Sequence, residues 1–126
     1  MAHGVFGTAI NCMDGRAQEP VIAYLKQNYG LDYVDMITEA GPDGALAADN
    51  YPIREAIRTR AGISVNKHHS KIIAIVGHHD CAGNPGDAAA HQAHIRQSMS
   101  MVRSWGWDVQ VIGLWLDERW VIQPVD

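Results

Sequence analysis

Two short stretches hold the residue types that do chemistry. Cys12-Met13-Asp14-Gly15-Arg16 sets a thiol, a carboxylate and a guanidinium at alternate positions, and His78-His79-Asp80-Cys81 sets an imidazole and a thiol three apart. Between them they contain both cysteines of the chain. A soft d¹⁰ ion such as zinc favours thiolate and imidazole, and a His-x-x-Cys loop lets both side chains reach one ion without straining the backbone. With Cys12 brought alongside His78 and Cys81, three protein ligands leave the fourth tetrahedral position to water or to Asp14. Three ligands and an open position describe a catalytic zinc.

Bringing the two stretches together is the task of the elements around them. Val5 to Ile10 is a short apolar run followed by polar Asn11 and Cys12, which predicts a buried strand ending at a loop. Pro20 suits the first turn of a helix in which Val21, Ile22, Leu25 and Tyr29 recur, and Gly30 stops it. Tyr33 to Thr38 predicts a second strand. Gly41, Pro42 and Gly44 mark a loop, and a second amphipathic helix begins near Asp49, carries Ile53, Ala56, Ile57 and Arg60, and ends near Gly62.

Lys71 to Val76 is a continuous β-branched run of the kind found where both faces of a parallel strand are covered. A loop over 77–85 leads to a long helix from Asp87 to about Trp105, with Ile95, Met99 and Val102 on one stripe. Val109 to Leu116 is a fourth strand. Asp117, Glu118 and Arg119 make a hairpin tip before a last strand, Trp120 to Pro124, which its proline confines to an edge.

The expected fold class is α/β: a mostly parallel sheet of about four strands plus an antiparallel edge strand, with helices on both faces. One domain over residues 1–126 is expected from the length. Ligands of such sheets bind beyond the C-terminal strand ends, where both chemical stretches fall.

Composition narrows the function. Hydrophobic residues make up 47% and charged residues 19% of the chain, enough apolar material for a packed core and too little charge for disorder. Ten Lys and Arg against fourteen Asp and Glu leave a net charge of -4, with the bases scattered singly, so no nucleic-acid surface is expected. No segment reaches the ~20 apolar residues of a membrane span, and the cytosol is the expected compartment. In a reducing compartment, two cysteines with seven histidines raise metal ligation ahead of a disulfide.

The stretches CMDGR and GHHDCAG resemble the Cys-x-Asp-x-Arg and His-x-x-Cys motifs of the β-class carbonic anhydrases. EAGPDG, YPIREAI and the closing VIGLWLDERWVIQPV are similar to that family as well, so the resemblance covers most of the chain. It implies that Cys12, His78 and Cys81 bind Zn²⁺ and that Asp14 and Arg16 form a catalytic dyad. The implied reaction is reversible hydration of CO₂ to bicarbonate by zinc hydroxide, in a homodimer or larger homo-oligomer. Gly15 stands where the family usually has serine, and Ala82-Gly83 inverts the family's glycine-then-small order. The sequence opens on the first strand, so no N-terminal arm of the kind many members wrap around a neighbour is expected.

Chemistry gives each dyad member a task. Two thiolates cancel the charge of the ion, making it a weaker Lewis acid than one held by neutral imidazoles, so its water needs help to ionise. Asp14 can accept a hydrogen bond from that water, while the fork of Arg16 keeps the carboxylate ionised and off the metal. His79 and Asp80 adjoin the ligands as candidate proton carriers but are not counted as catalytic.

Other readings follow from the same residues. A zinc hydroxide beside a small apolar pocket suits hydrolysis of COS or CS₂ equally well. A site closed by Asp14 makes a non-catalytic zinc-binding assembly domain, and a redox protein predicts no metal and a reactive Cys12. His68 and His69 read as a solvated, inert loop without an acidic partner nearby in sequence. His91 and His94 share a helix face at a spacing metal ligands also use, although helix surfaces carry such pairs by chance. GPDGALAAD lacks the Lys-Ser/Thr pair of a phosphate loop and reads as a turn before a helix, so no nucleotide is expected. Trp105, Trp107, Trp115 and Trp120 read mostly as core, with some surface left for subunit packing.

Overall fold

A computed structural model describes residues 3–126. Five strands, β1 (Phe6–Cys12), β2 (Tyr33–Glu39), β3 (Ile72–His78), β4 (Gln110–Leu116) and β5 (Ile122–Val125), form one sheet in the order β2-β1-β3-β4-β5. The first four are parallel to their neighbours, and β5 runs antiparallel to β4 at the edge. This is the α/β architecture expected from the alternation of strand and helix patterns.

The helices are α1 (Gln18–Tyr29), α2 (Pro42–Ala47), α3 (Tyr51–Lys67) and α4 (Ala88–Arg103), with a short 3-10 turn at Gly15–Ala17 ahead of α1. They cover both faces unequally. On one face, Val21 and Leu25 of α1 pack with Ala9, Ala74, Leu114 and Leu116. On the other, Leu46, Ile57, Ala61, Ile95, Met99 and Val102 from α2, α3 and α4 pack with Ile10, Ile37, Ile73 and Ile75. Every residue of β3 is buried, which is why its sequence is continuously apolar instead of alternating.

Two expectations are corrected. Gly62 does not end the second amphipathic helix: α3 continues to Lys67 because its buried stripe runs on through Ala61 and Ser64. Trp107 packs over Gly62, 3.4 Å from where a Cβ would stand. The GPDG segment is not a plain loop either. Gly41 takes a left-handed conformation (φ 56°), Pro42 fills the first helical position, and α2 follows at once with Leu46 buried. The turn composition of GPDG masked the preference of proline for a helix start.

Strand β1 runs two residues further than expected, to Cys12 itself, and β3 runs to His78. Since Ile10 pairs with Ile75, the two chemical residues stand at adjacent strand ends on the same rim of the sheet.

Candidate metal centre

Cys12, His78 and Cys81 are all buried, and their ligand atoms lie within 4.8 Å of one another. Both cysteines are free, with sulfurs 4.0 Å apart. Two sulfurs bound to one tetrahedral zinc at about 2.3 Å each stand about 3.8 Å apart, whereas a disulfide needs about 2.05 Å. The separation therefore fits a shared ion. The His78 ring supplies a second sign: its Nδ1 donates to the His79 carbonyl at 2.7 Å, while its buried Nε2 has no hydrogen-bond partner. A backbone acceptor on one nitrogen fixes the tautomer that leaves a lone pair on the other, as in metal-ligating histidines. The donor set fits zinc.

Local folding explains how the sulfurs are held. The Asn11 side chain spans the turn, donating from Nδ2 to the Ala17 carbonyl and accepting at Oδ1 from the Cys12 amide. Gln18 donates to the carbonyls of Cys12 and Asp14 at 2.7 and 3.0 Å, which ties the strand end to the start of α1. Gly41 and Gly83 interlock backbone to backbone. A Cβ on Gly83 would stand 2.5 Å from the Ala40 carbonyl carbon, and one on Gly41 2.6 Å from the Gly83 carbonyl carbon. Glycine is thus required at position 83 of the Ala82-Gly83 pair, whereas Gly15 has open space around it.

These contacts set the acid–base character of the ligands. Burial pushes the Cys12 thiol up, but the His78 imidazole and the backbone of Gly41 and Asp14 outweigh it and lower the pKa to about 7. Burial dominates at Cys81, and with the neighbouring Cys12 it pushes that thiol up to about 11 against the backbone of Asn84 and Gly83. Burial also opposes charge on His78, yet the Cys12 sulfur, the His79 carbonyl and the Asp14 carboxylate raise it overall. One thiolate forms readily, and the second needs a cation beside it.

Asp14 and Arg16 meet, as the resemblance implied. Arg16 donates from Nη2 to Oδ2 at 2.7 Å and from Nε to Oδ1 at 3.1 Å, and its backbone amide donates to Oδ1 at 2.9 Å. These bonds hold the Asp14 carboxyl down at about 2, first through the guanidinium, against partial burial. Asp14 Oδ2 lies 3.9 Å from the free Nε2 of His78. The carboxylate therefore stands beside the cluster, held by Arg16.

Several residues at the site were not legible as such. Asp80 accepts from Arg16 through Oδ2 at 3.3 Å and through its backbone carbonyl at 3.1 Å. Trp120 lies with its ring 4.6 Å from the Arg16 guanidinium carbon and 5.8 Å from the His78 ring centre. Asp80 was read as a candidate proton carrier and not as a partner of Arg16, and Trp120 as one of four tryptophans mostly in the core. His79 donates its backbone amide to Leu116, and its side chain is exposed.

Three further histidines have structural partners, although the buried Nε2 of His91 has none. His91 is fully buried, with Nδ1 2.6 Å from Asp43 Oδ2 and its ring against Trp115. His94 pairs through Nδ1 with Asn84 at 3.0 Å, and Asn84 also donates to Asp43 Oδ1 at 3.2 Å. Gly77 makes room for the buried pair, since a Cβ there would meet Asp43 Oδ2 at 2.7 Å. His68 is not the unpartnered loop residue expected: it lies 2.7 Å from Asp35 and stacks on Phe6. Removing one member of a buried pair strands the other, so Asp43→Ala is expected to lose about 3 kcal/mol of stability in urea unfolding. A loss below about 1 kcal/mol would show that solvent or a neighbour satisfies His91 instead.

Comparison with known proteins agrees with this architecture. The structure is similar to the β-carbonic anhydrase CafA of the fungal pathogen Aspergillus fumigatus, with a TM-score of 0.53 at 19% identity over 98% of this chain and 76% of that one. It is also similar to a tetrameric β-carbonic anhydrase from the filamentous ascomycete Sordaria macrospora, with a TM-score of 0.56 at 14% identity over 98% and 82% of the two chains. At such identities the likeness is one of fold. No curated protein matches the chain. A family model described as "Putative carbonic anhydrase" matches residues 2–126. With that match spanning nearly the whole sequence, the chain belongs to this carbonic anhydrase family, and its fold is that of the β-carbonic anhydrases.

Proposed function

We propose that this protein is a zinc-dependent carbonic anhydrase that interconverts CO₂ and bicarbonate, with Cys12, His78 and Cys81 as the metal ligands and Asp14 and Arg16 as the catalytic pair. The observation that carries this reading is a carboxylate held by Arg16, 3.9 Å from an unpartnered His78 Nε2 that shares its surroundings with two thiols. Zinc supplies the Lewis acidity that makes water nucleophilic near neutral pH.

The chain's own residues do the rest. Asp14 stays ionised because Arg16 neutralises it, so it accepts a hydrogen bond from the attacking water and turns the oxygen lone pair toward the carbon of CO₂. Arg16 occupies both Asp14 oxygens and so restrains the carboxylate from joining the ligands. The His79 carbonyl orients His78. The proton released by hydration passes to solvent.

The reading includes a homo-oligomer in a reducing cytosol. Val5, Met13, Tyr33, Tyr51, Ile63 and Val121 are large exposed apolar residues, the neighbour from Sordaria macrospora is tetrameric, and the free thiols suit that compartment. Among the described residues no helix is long and apolar enough to cross a membrane.

The test is to load purified protein with zinc, count the metal, and measure turnover of CO₂, COS and CS₂ separately. One zinc per chain with CO₂ hydration is expected. Zinc binding without CO₂ turnover from neutral to alkaline pH would overturn the assignment, and turnover of COS or CS₂ alone would replace the substrate. A carboxylate bound to the ion at every pH would make this a structural zinc domain.

A further inference from the structure

Three non-glycine residues among those described take positive φ: His69 (60°), Asp80 (57°) and Trp120 (61°). Side chains rarely adopt this region, and where they do the surrounding structure must enforce it. Two of the three touch the same side chain. Asp80 receives two hydrogen bonds from Arg16, and Trp120 lays its ring against the Arg16 guanidinium at 4.6 Å.

The turn that presents Trp120 is built by Asp117. Its amide donates to the Val121 carbonyl and its carbonyl accepts from the Trp120 amide at 2.9 Å. Its carboxylate accepts from the amides of Arg119 and Val121 and from the side chain of Gln123. Asparagine or glycine would fit the left-handed position more readily. Tryptophan there offers a flat aromatic surface whose ring centre lies 4.6 Å from the Arg16 guanidinium carbon and 5.8 Å from the His78 ring.

Arg16 has reason to need that surface. Its side chain is 47% exposed, and an exposed ion pair alone holds a long side chain weakly. A ring face shields the guanidinium from water and attracts its charge, which narrows the orientations open to it.

We infer that Trp120 is a positioning residue, which clamps Arg16 against Asp80 and thereby keeps the Arg16 fork closed on the Asp14 carboxylate. The clamp deepens the functional reading above and rests on it for its catalytic consequence, but not for its effect on Arg16. Without the ring, Arg16 samples solvent and Asp14 is freed from its restraint beside the metal ligands.

The decisive experiment compares wild type, W120G and W120F, each ¹⁵N-labelled, metal-free and zinc-loaded. Solvent exchange of the Arg16 Nε–H reports the clamp directly and needs no activity. Exchange at least tenfold faster in W120G, with W120F within threefold of wild type, is expected in both metal states. For the zinc-loaded proteins, kcat for CO₂ hydration is expected to fall at least tenfold in W120G with KM within twofold, and to recover in W120F. W120N, which also accepts the left-handed turn, repeats the measurements if W120G does not fold. Unchanged Arg16 exchange in the folded variant overturns the inference, as does faster exchange that W120F fails to prevent. A wild-type protein inactive toward CO₂ would overturn the functional reading alone, leaving the exchange rates to decide the clamp.

Discussion

Replacing Asp14 by asparagine is expected to leave zinc in place and slow CO₂ hydration by about 10²–10³-fold, the usual loss when one positioned hydrogen-bonding group of an active site is removed. Asparagine keeps the size of the side chain and an oxygen for Arg16, but it carries no charge and is a far weaker acceptor from water. Zinc retention is expected because the three proposed ligands lie elsewhere, in the cluster of Cys12, His78 and Cys81. Metal analysis together with stopped-flow hydration separates the outcomes. Loss of zinc in the variant would make Asp14 a ligand, and an unchanged rate would remove it from the mechanism.

The same carboxylate has a defined acid limit. Its folded pKa of about 2 lies below its ordinary value, so the Asp14–Arg16 bond is fully present above about pH 4 and is lost as pH falls toward 2. Asp14 therefore stays charged throughout the neutral and alkaline range, and any pH dependence of activity there must come from another group.

The second large effect concerns zinc binding itself. In small sites the ion contributes about 10–16 kcal/mol through its ligands, so losing one thiolate through Cys81→Ser should remove at least ~3 kcal/mol, or roughly a hundredfold in affinity. Competition with a chromophoric chelator measures the change. In the metal-free wild type the Cys12 thiol is lowered to about 7, the Cys81 thiol is pushed up to about 11 and His78 is raised, so above pH 7 zinc displaces at least the Cys81 proton. Apparent affinity should then rise at least about tenfold per pH unit from pH 7 to 9, and more steeply with pH below 7, where Cys12 is protonated as well. Cys81→Ser should lower the slope above pH 7 by about tenfold per pH unit. A slope that is flat in the wild type would mean that Cys81 is not a ligand.

The contrast between the histidines shows how much the chain reveals before folding. His78 could be singled out because Cys81 lies three residues away and the pair follows a strongly apolar strand, which suggests its proposed chemistry and fixes its place on the rim of the sheet. His91 and His94 offered an equally regular spacing, yet they bond to Asp43 and Asn84 from distant parts of the chain. His68 likewise finds Asp35, 33 residues away. Spacing can show which side chains are able to meet. It cannot show whether a partner from another element arrives first.

Helix ends show the same division. Gly30 stops α1 in a left-handed cap, as its position after the apolar stripe implies. Gly62 has the same composition signal but sits inside α3, where the burial of Ser64 and the packing of Trp107 make continuation favourable. The local preference of glycine is worth about 1 kcal/mol, and tertiary packing can exceed it.

The residue order by itself determined the alternation of strands and helices, and it placed Cys12, Asp14, Arg16, His78 and Cys81 at strand ends, because hydrophobic period and short motifs are local properties. Only the tertiary structure decided that the two sulfurs stand 4.0 Å apart, that Gly41 and Gly83 interlock, and that Trp120 covers Arg16. Those contacts join residues far apart along the chain, and their geometry depends on how five strands and four helices pack at once.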